Sequence, residues 1–464
     1  MIVSAPGMIS PGELHRTNSI KRDGERHLIF YPLLMNFVLK KILFSALLIG
    51  AAHLLPAQTT YLYCGQLLTM QNTDLQTAVT LVVEGDKILR IDRGYSPLPT
   101  GAVGIDLKNK TVLPGLIDCH VHLEWEQSRS SYTEKYVLNP ADIAFRSIGY
   151  AQSTLLAGFT TVRDLGGRGI NIALRNAVNN GLTVGPRILT AGGALSITGG
   201  HGDPTTGARW DLFDPPGPEL GIADGPEECR AAVRNQVKHG ADWIKVCATG
   251  GVLSLARDGR LPHYAQDELS AIVSTARDLG LRVAAHAHGD EGIRRAVLAG
   301  VSSIEHGTFV SDSTLELMKQ RGVWYVPTLT AGWAVSDSAR LARGFFPEVV
   351  RVKALDIGPK IQATLGRAYQ KGVKIAFGTD AGVFPHGRNG LEFSYMAAAG
   401  LPAAAILRSA TVEAATLLQL QDQIGSLEAG KLADIIAVEG QPLDNIRVME
   451  KVVFVMKGGR IFKQ

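Results

Sequence analysis

Leu113-Pro-Gly-Leu-Ile-Asp-Cys-His-Val-His122 is a short apolar run that closes on two histidines. Read as a strand, it projects residues i and i+2 to one face, so His120 and His122 converge on one cation wherever the strand end opens to a ligand. His-x-His alone also describes solvated or core histidines, so the rest of the chain has to decide. Four later positions repeat the pattern of a polar residue within or closing a short apolar run. Lys245 lies in Trp243-Ile-Lys-Val-Cys-Ala, His286 ends Arg282-Val-Ala-Ala-His, His306 ends Ser303-Ile-Glu-His, and Asp380 ends Lys374-Ile-Ala-Phe-Gly-Thr-Asp. Between them lie amphipathic stretches, 267–279 and 293–298, with apolar residues three and four apart and Gly280 or Gly300 as the stop signal.

Short apolar strands are expected near 113–122, 160–166, 186–196, 243–250, 282–289, 303–307, 324–330 and 374–380, eight in all, with helical patterns between them. The expected class is α/β, a (β/α)8 TIM barrel over residues 113–419. An open doubly wound sheet would spread the six polar residues along an edge, whereas a closed barrel gathers strand ends around one mouth. Outside that region, residues 79–92 alternate about Glu84-Gly-Asp-Lys, with Leu81, Val83, Ile88 and Ile91 apolar, a hairpin signal. Strands are also expected in Gly425-Ser-Leu-Glu-Ala-Gly-Lys-Leu-Ala-Asp-Ile-Ile-Ala-Val and Val452-Val-Phe-Val-Met-Lys-Gly-Gly-Arg-Ile-Phe. Both ends, 58–112 and 420–464, are therefore expected to build one small β-sandwich beside the barrel.

After residue 59 the chain resembles the amidohydrolase superfamily. The resemblance rests on the opening run, on Thr-Thr-Val-Arg-Asp-Leu-Gly-Gly at 160–167, Ile-Lys-Val-Cys-Ala-Thr-Gly-Gly-Val at 244–252, His-Ala-His-Gly at 286–289, Ile-Glu-His-Gly at 304–307 and Gly-Thr-Asp at 378–380. Lys245 and the Gly-Gly after it resemble most the metal-dependent, prolidase-like dipeptidase and carboxypeptidase branch. That branch cleaves Xaa-Pro, Xaa-Arg or Xaa-Lys bonds and includes hydrolases of N-acyl amino acid amides such as ochratoxin.

The resemblance implies two divalent metal ions. His120, His122 and Asp380 would hold the more buried one and His286 and His306 the more exposed one, with Lys245 bridging both as a carbamate formed with carbon dioxide. Zinc is the default for imidazole and carboxylate donors. A buried lysine has a lowered pKa and supplies the neutral amine that carboxylation needs, whereas an ammonium would repel both cations. The metals would polarise the amide carbonyl and activate a shared water, and Asp380 would carry its proton to the departing amine.

His201, in Thr198-Gly-Gly-His-Gly-Asp, and Tyr264, in Leu261-Pro-His-Tyr, sit on loops expected at the mouth. Both are candidate substrate-binding residues, Tyr264 through its hydroxyl to a substrate carboxylate, with loop anchoring as the competing reading. His288 is read as a supporting residue and Arg163 with Asp164 as a buried ion pair or brace. Glu305, next to His306, is expected to face the opposite way and pair in the barrel wall.

A chain of 464 residues, 45% hydrophobic and 19% charged, has room for a barrel plus a small domain. Its net charge of +4 comes without a basic stripe interleaved with aromatics, which argues against nucleic acid as partner. The expected partner is a small-molecule or dipeptide substrate, and a homo-oligomer is expected. Residues 35–57 read as a signal peptide: Met35-Asn-Phe-Val-Leu-Lys-Lys, then a largely apolar 42–55, then Pro-Ala-Gln. That apolar stretch is too short to favour a membrane span. The in-frame Met35 marks residues 1–34 as a mis-started extension, and the mature protein is expected to be exported, periplasmic or secreted. The cysteines at 64, 119, 229 and 247 form no Cys-x-x-Cys pair.

Rival activities differ in how they meet these residues. A related deaminase would carry His-x-x-Glu at strand five, where this chain has His286-Ala-His-Gly289. Cyclic amide, lactam and ester hydrolases and phosphotriesterases share a lysine-bridged site, so the ligands do not separate them from a peptidase. A non-catalytic binding protein on the same barrel would be expected to lose a ligand, and none is lost.

Overall fold

The computed structural model describes residues 58–464 except 135, 256, 257, 342, 343 and 356. The expected extension and signal peptide lie outside the described residues. Among the described residues no helix is long and apolar enough to cross a membrane.

The strands are β1 (Thr59–Leu68), β2 (Leu75–Glu84), β3 (Lys87–Arg93), β4 (Val103–Pro114), β5 (Leu116–Val121), β6 (Phe159–Asp164), β7 (Arg187–Thr190), β8 (Ala194–Leu195), β9 (Ile244–Cys247), β10 (Val283–Gly289), β11 (Ser303–Phe309), β12 (Trp324–Val326), β13 (Ile435–Val438), β14 (Val452–Lys457) and β15 (Arg460–Lys463). Parallel pairing joins β5-β6-β7 and β8-β9-β10-β11-β12. The two groups are linked on both sides. Asp242 donates its backbone N–H to Thr190 O at 2.7 Å, bringing the β9 side against β7. On the other side Tyr325 donates to Lys374 O at 2.8 Å, Cys119 to Phe377 O at 2.9 Å and His122 to Ala381 O at 2.8 Å. The segment 374–381 thus lies between β12 and β5 as the eighth stave of the barrel.

Two expected strands are less regular than their apolar runs imply. The run 186–196 breaks into β7 and β8 because the Gly192 carbonyl leaves the ladder to accept from Gly167 N at 2.9 Å and Asn171 Nδ2 at 3.1 Å. The run 374–380 bonds to both neighbours through isolated bridges. Gly378 lies so close to its neighbours that a Cβ would stand 2.3 Å from Val326 Cγ1, and the chain turns left-handed at Asp380.

Helices follow where amphipathic stretches predict them: Gln266–Asp278 after β9 and Asp290–Ala299 after β10, the latter capped by left-handed Gly300. Their apolar faces join the main core with Leu269, Ile272, Ile293 and Val297.

The chain ends form one seven-stranded sheet, ordered β15-β14-β13-β4-β1-β2-β3, rather than two separately bonded layers. The sandwich arises because the sheet curls. Ile88 donates to Lys431 O at 2.9 Å and Ala433 to Asp86 O at 2.8 Å, which ties the β2–β3 turn to the approach into β13. The inward residues of both halves, among them Leu62, Leu81, Leu107, Ile435, Phe454 and Met456, then share one buried cluster. Each such side chain contributes about 1.5–3 kcal/mol by leaving water.

Candidate metal centre and active-site cavity

The C-terminal ends of β5, β9, β10 and β11 and the 374–381 segment deliver His120, His122, Lys245, His286, His306 and Asp380 into the lining of one cavity. Hydrogen bonds orient the rings. His122 Nδ1 lies 2.8 Å from Gly166 O and His286 Nε2 lies 3.1 Å from Gly250 O. A carbonyl only accepts, so these nitrogens carry the protons and leave His122 Nε2 and His286 Nδ1 with lone pairs. His120 Nδ1 is 2.9 Å from Glu305 Oε2, which leaves its Nε2 in the same condition. His306 Nδ1 meets Thr328 Oγ1 at 2.7 Å.

These lone pairs face a carboxylate. Asp380 Oδ1 lies 3.2 Å from His122 Nε2 and 3.5 Å from His120 Nε2, and it is buried without a hydrogen-bond partner among the described residues. With the His122 proton committed to Gly166, two acceptor atoms confront each other at a distance that only an added proton or a cation makes favourable. Burial works against protonating His122, but Asp380 raises its proton affinity. Burial and then the Lys245 charge push His120 down to about 4, and burial takes His286 and His306 well below the usual histidine value. His120, His286 and His306, held neutral, and His122 with its Nε2 towards an orphaned carboxylate oxygen are the donor set a zinc-like cation takes. Ligand atoms of His120, His306 and Asp380 lie within 4.8 Å of one another, as do those of His286, His288 and His306.

Lys245 is 3% exposed, and its Nζ stands 3.3 Å from His120 Nε2. Among the described residues it makes no ion pair, and burial lowers its pKa. Glu305 and Asp380 oppose that shift, but burial outweighs them and favours the neutral amine.

The backbone is strained where the ligands converge. His306, Thr328 and Asp380 have φ of 68°, 56° and 61°, left-handed values that L-residues adopt at a cost of about 1–2 kcal/mol each. This corrects the expected direction of Glu305. Glu305 shares a face with Ser303, as alternation dictates, and points inward beneath His120, while the left-handed turn at His306 brings that ring to the cavity as well. Arg163 is braced, but its partner is Glu305 at 2.9 Å. Asp164 instead accepts from Leu123 N at 2.8 Å and Asn171 Nδ2 at 2.9 Å.

The two substrate-binding candidates diverge. The His201 ring stacks on His286 with centroids 4.3 Å apart, lines the cavity, and keeps a buried Nδ1 without a hydrogen-bond partner among the described residues. A Cβ at Gly251 would stand 2.2 Å from that ring, and one at Gly250 2.4 Å from Asp258 O, which explains the glycine pair after β9. Tyr264 is a correction: it is fully buried in the main core, absent from the cavity wall, and its hydroxyl has no partner among the described residues. Its apolar ring body wins over the polar tip, and the phenol packs beneath the loop rather than reaching the mouth.

His288 is the residue that sequence reasoning underweighted. It lines the cavity beside His286 and His306, with Nδ1 2.8 Å from Thr308 Oγ1. The second histidine of His286-Ala-His288 was the signal, since i and i+2 share a face. All four cysteines are buried free thiols.

The cavity measures about 1270 Å³. Trp125, Tyr132, Val252, Leu253, Val335 and Val383 supply an apolar wall, several of them from a buried cluster that also holds Phe346 and Ile357.

Residues 111–462 match the model of the amidohydrolase family. The ochratoxinase of Aspergillus niger is 33% identical over 429 residues, 88% of this chain and 87% of that protein. Among solved structures, a Xaa-Pro dipeptidase with methionine bound in its active site is 46% identical with a TM-score of 0.85, covering 88% of this chain and 100% of that one. A prolidase complexed with N-methylphosphonate-L-proline is 34% identical with a TM-score of 0.80, over 88% and 100% of the two chains.

Proposed function

This chain belongs to the amidohydrolase family, and we propose that it hydrolyses an amide or peptide bond to release a free C-terminal amino acid, from a dipeptide or an N-acyl amino acid. The observation that carries the reading is the orphaned Asp380 Oδ1 facing His120 and His122, with buried Lys245 reaching His120 Nε2 alongside.

In this proposal His120, His122 and Asp380 would hold one divalent cation and His286 and His306 a second. Lys245, whose neutral amine could give up a proton and bond the carbon of carbon dioxide as a carbamate, would supply a further anionic oxygen donor. When bound, the metals supply Lewis acidity to the scissile carbonyl and lower the pKa of water towards neutrality. Asp380 takes a proton from the attacking water and delivers it to the leaving nitrogen, without which the amine departs poorly. Burial raises the Asp380 pKa, but the neighbouring His120 and His122 outweigh it and bring it below the usual carboxylate value, which favours the carboxylate form a base needs. His201 orients substrate from the wall above His286, and the apolar wall takes the acyl side. The cavity is large for a dipeptide, which leaves room for a bulkier acyl group. Export, on the strength of residues 35–57, is part of the same proposal.

The test is a panel of dipeptides and N-acyl amino acids incubated with zinc-loaded protein, with Lys245→Ala as the blank. Release of a C-terminal amino acid that disappears in the variant is the expected result. A metal-loaded protein that releases none, but opens lactams, cyclic amides or esters, overturns it.

A further inference from the structure

Beneath the ligand cluster lies a buried charge network that the reaction itself does not use. Arg163 and Glu305 are both fully buried. Arg163 donates from Nη2 to Glu305 Oε1 at 2.9 Å, from Nη1 to Ser303 Oγ at 3.2 Å and from Nε to Cys119 O at 2.7 Å, and its guanidinium lies 4.6 Å over the Trp243 ring. Ser303 Oγ donates to the same Oε1 at 2.5 Å. One carboxylate oxygen is therefore occupied from below, and the other, Oε2, is left for His120 Nδ1 at 2.9 Å. The clamp also grips the main chain one residue before His120 through the Cys119 carbonyl.

A buried ion pair is a poor device for stability alone, since well-packed apolar residues of similar volume often do as well or better. What this pair does that apolar residues cannot is hold the His120 proton on Nδ1. We propose that Glu305, clamped by Arg163 and Ser303, is a positioning residue that fixes the His120 tautomer and strengthens His120 Nε2 as a metal donor, so that metal retention depends on it. Carboxylates that accept from a ligating imidazole raise its basicity, and losing one costs about 10–100-fold in metal affinity.

The inference rests on the metal reading above, and the test separates the two. Both charges are removed together to avoid stranding either one, in Arg163→Met/Glu305→Gln, which keeps an acceptor under His120, and Arg163→Met/Glu305→Leu, which does not. Zinc dissociation constants come from chelator competition, and the cobalt-substituted proteins give visible spectra that report the ligand field. The Gln form should bind about 10-fold and the Leu form about 100-fold more weakly, with altered cobalt spectra and unchanged far-ultraviolet circular dichroism. Ser303→Ala, a smaller change that leaves both charges in place, should weaken binding about threefold and covers the case in which the double variants misfold. Wild-type-like affinity and spectra in folded variants overturn the positioning role alone. A wild-type protein that binds no divalent metal overturns the metal reading and this inference with it.

Discussion

The curled sheet at the chain ends and the mouth of the barrel are both built from short apolar strands, yet they solve opposite problems. In the sheet, apolar side chains of both halves fill the enclosed cluster, and charges such as the Lys110–Glu439 pair stay outside it. At the mouth, three L-residues sit in left-handed conformations, histidines and a lysine are buried, and a carboxylate oxygen has no hydrogen-bond partner among the described residues. The sheet region too has left-handed L-residues, Met70 and Ala78, but the mouth sets its own among buried histidines and an orphaned carboxylate oxygen. Stability is supplied where the pattern is regular and spent where ligands must converge, so changes in the two regions should have separable effects.

The largest expected effect is chemical. Asp380→Asn keeps an oxygen donor towards His120 and His122 but removes the proposed base. Turnover should fall about 10³-fold or more while most of the metal remains, as read by steady-state rates and metal analysis of the same sample. Near-normal turnover would remove Asp380 from proton transfer and weaken the contrast between the regions. Phe454→Ala should do the reverse. Its ring is 1% exposed within the sheet core, and truncation should cost about 3–5 kcal/mol in urea unfolding with kcat unchanged while the protein stays folded. A large loss of kcat there would show that the sheet is coupled to the site.

Thr328→Gly examines the strain directly. Thr328 is β-branched, has a φ of 56° and bonds His306 Nδ1 at 2.7 Å. Glycine adopts that backbone freely, so relief of strain should offset much of the lost packing and hold the change in unfolding free energy below about 2 kcal/mol. Without the hydroxyl, His306 loses its orienting partner and metal retention should drop about 10-fold in chelator competition. Unchanged retention would mean the strain at Thr328 serves something other than His306.

The same contrast explains what could be read from the amino-acid order. Strand ends carrying His120, Lys245 or His286 announce themselves, because an apolar run closed by a polar residue is a local pattern, and helix stops such as Gly300 are local too. That Glu305 and His306, neighbours in one strand, both reach the site is not a local pattern: it accompanies one left-handed φ at His306. Tyr264 misleads for a related reason, since loop position says nothing about which way a ring packs. The break between β7 and β8 depends on the Gly192 carbonyl finding Gly167 and Asn171, residues distant in the chain. The sandwich was visible as strands, but its closure as one curled sheet rests on pairings between residues 86–88 and 431–433.

The smallest effect tests whether charges in the sheet region are ordinary surface charges. Glu428, on the approach to β13, accepts from Ser426 Oγ and pairs with Lys431 Nζ at 2.9 Å, with its side chain 33% exposed. The Ser426 hydrogen bond first, then Lys431, bring its pKa from 4.5 to about 2. A depressed folded-state pKa means the unfolded chain binds more protons between those values, so stability rises with pH across that window. The contribution is fully present above pH 4.5 and disappears as pH falls through about 2. Solvent screening keeps it below about 1 kcal/mol. Glu428→Gln should therefore lower the urea midpoint slightly at pH 6, and the gap from wild type should shrink progressively below the unfolded-state pKa of 4.5. A gap that persists undiminished in acid would assign the glutamate a packing role, and a large one would mean that buried-charge energetics reach beyond the barrel mouth into the sheet.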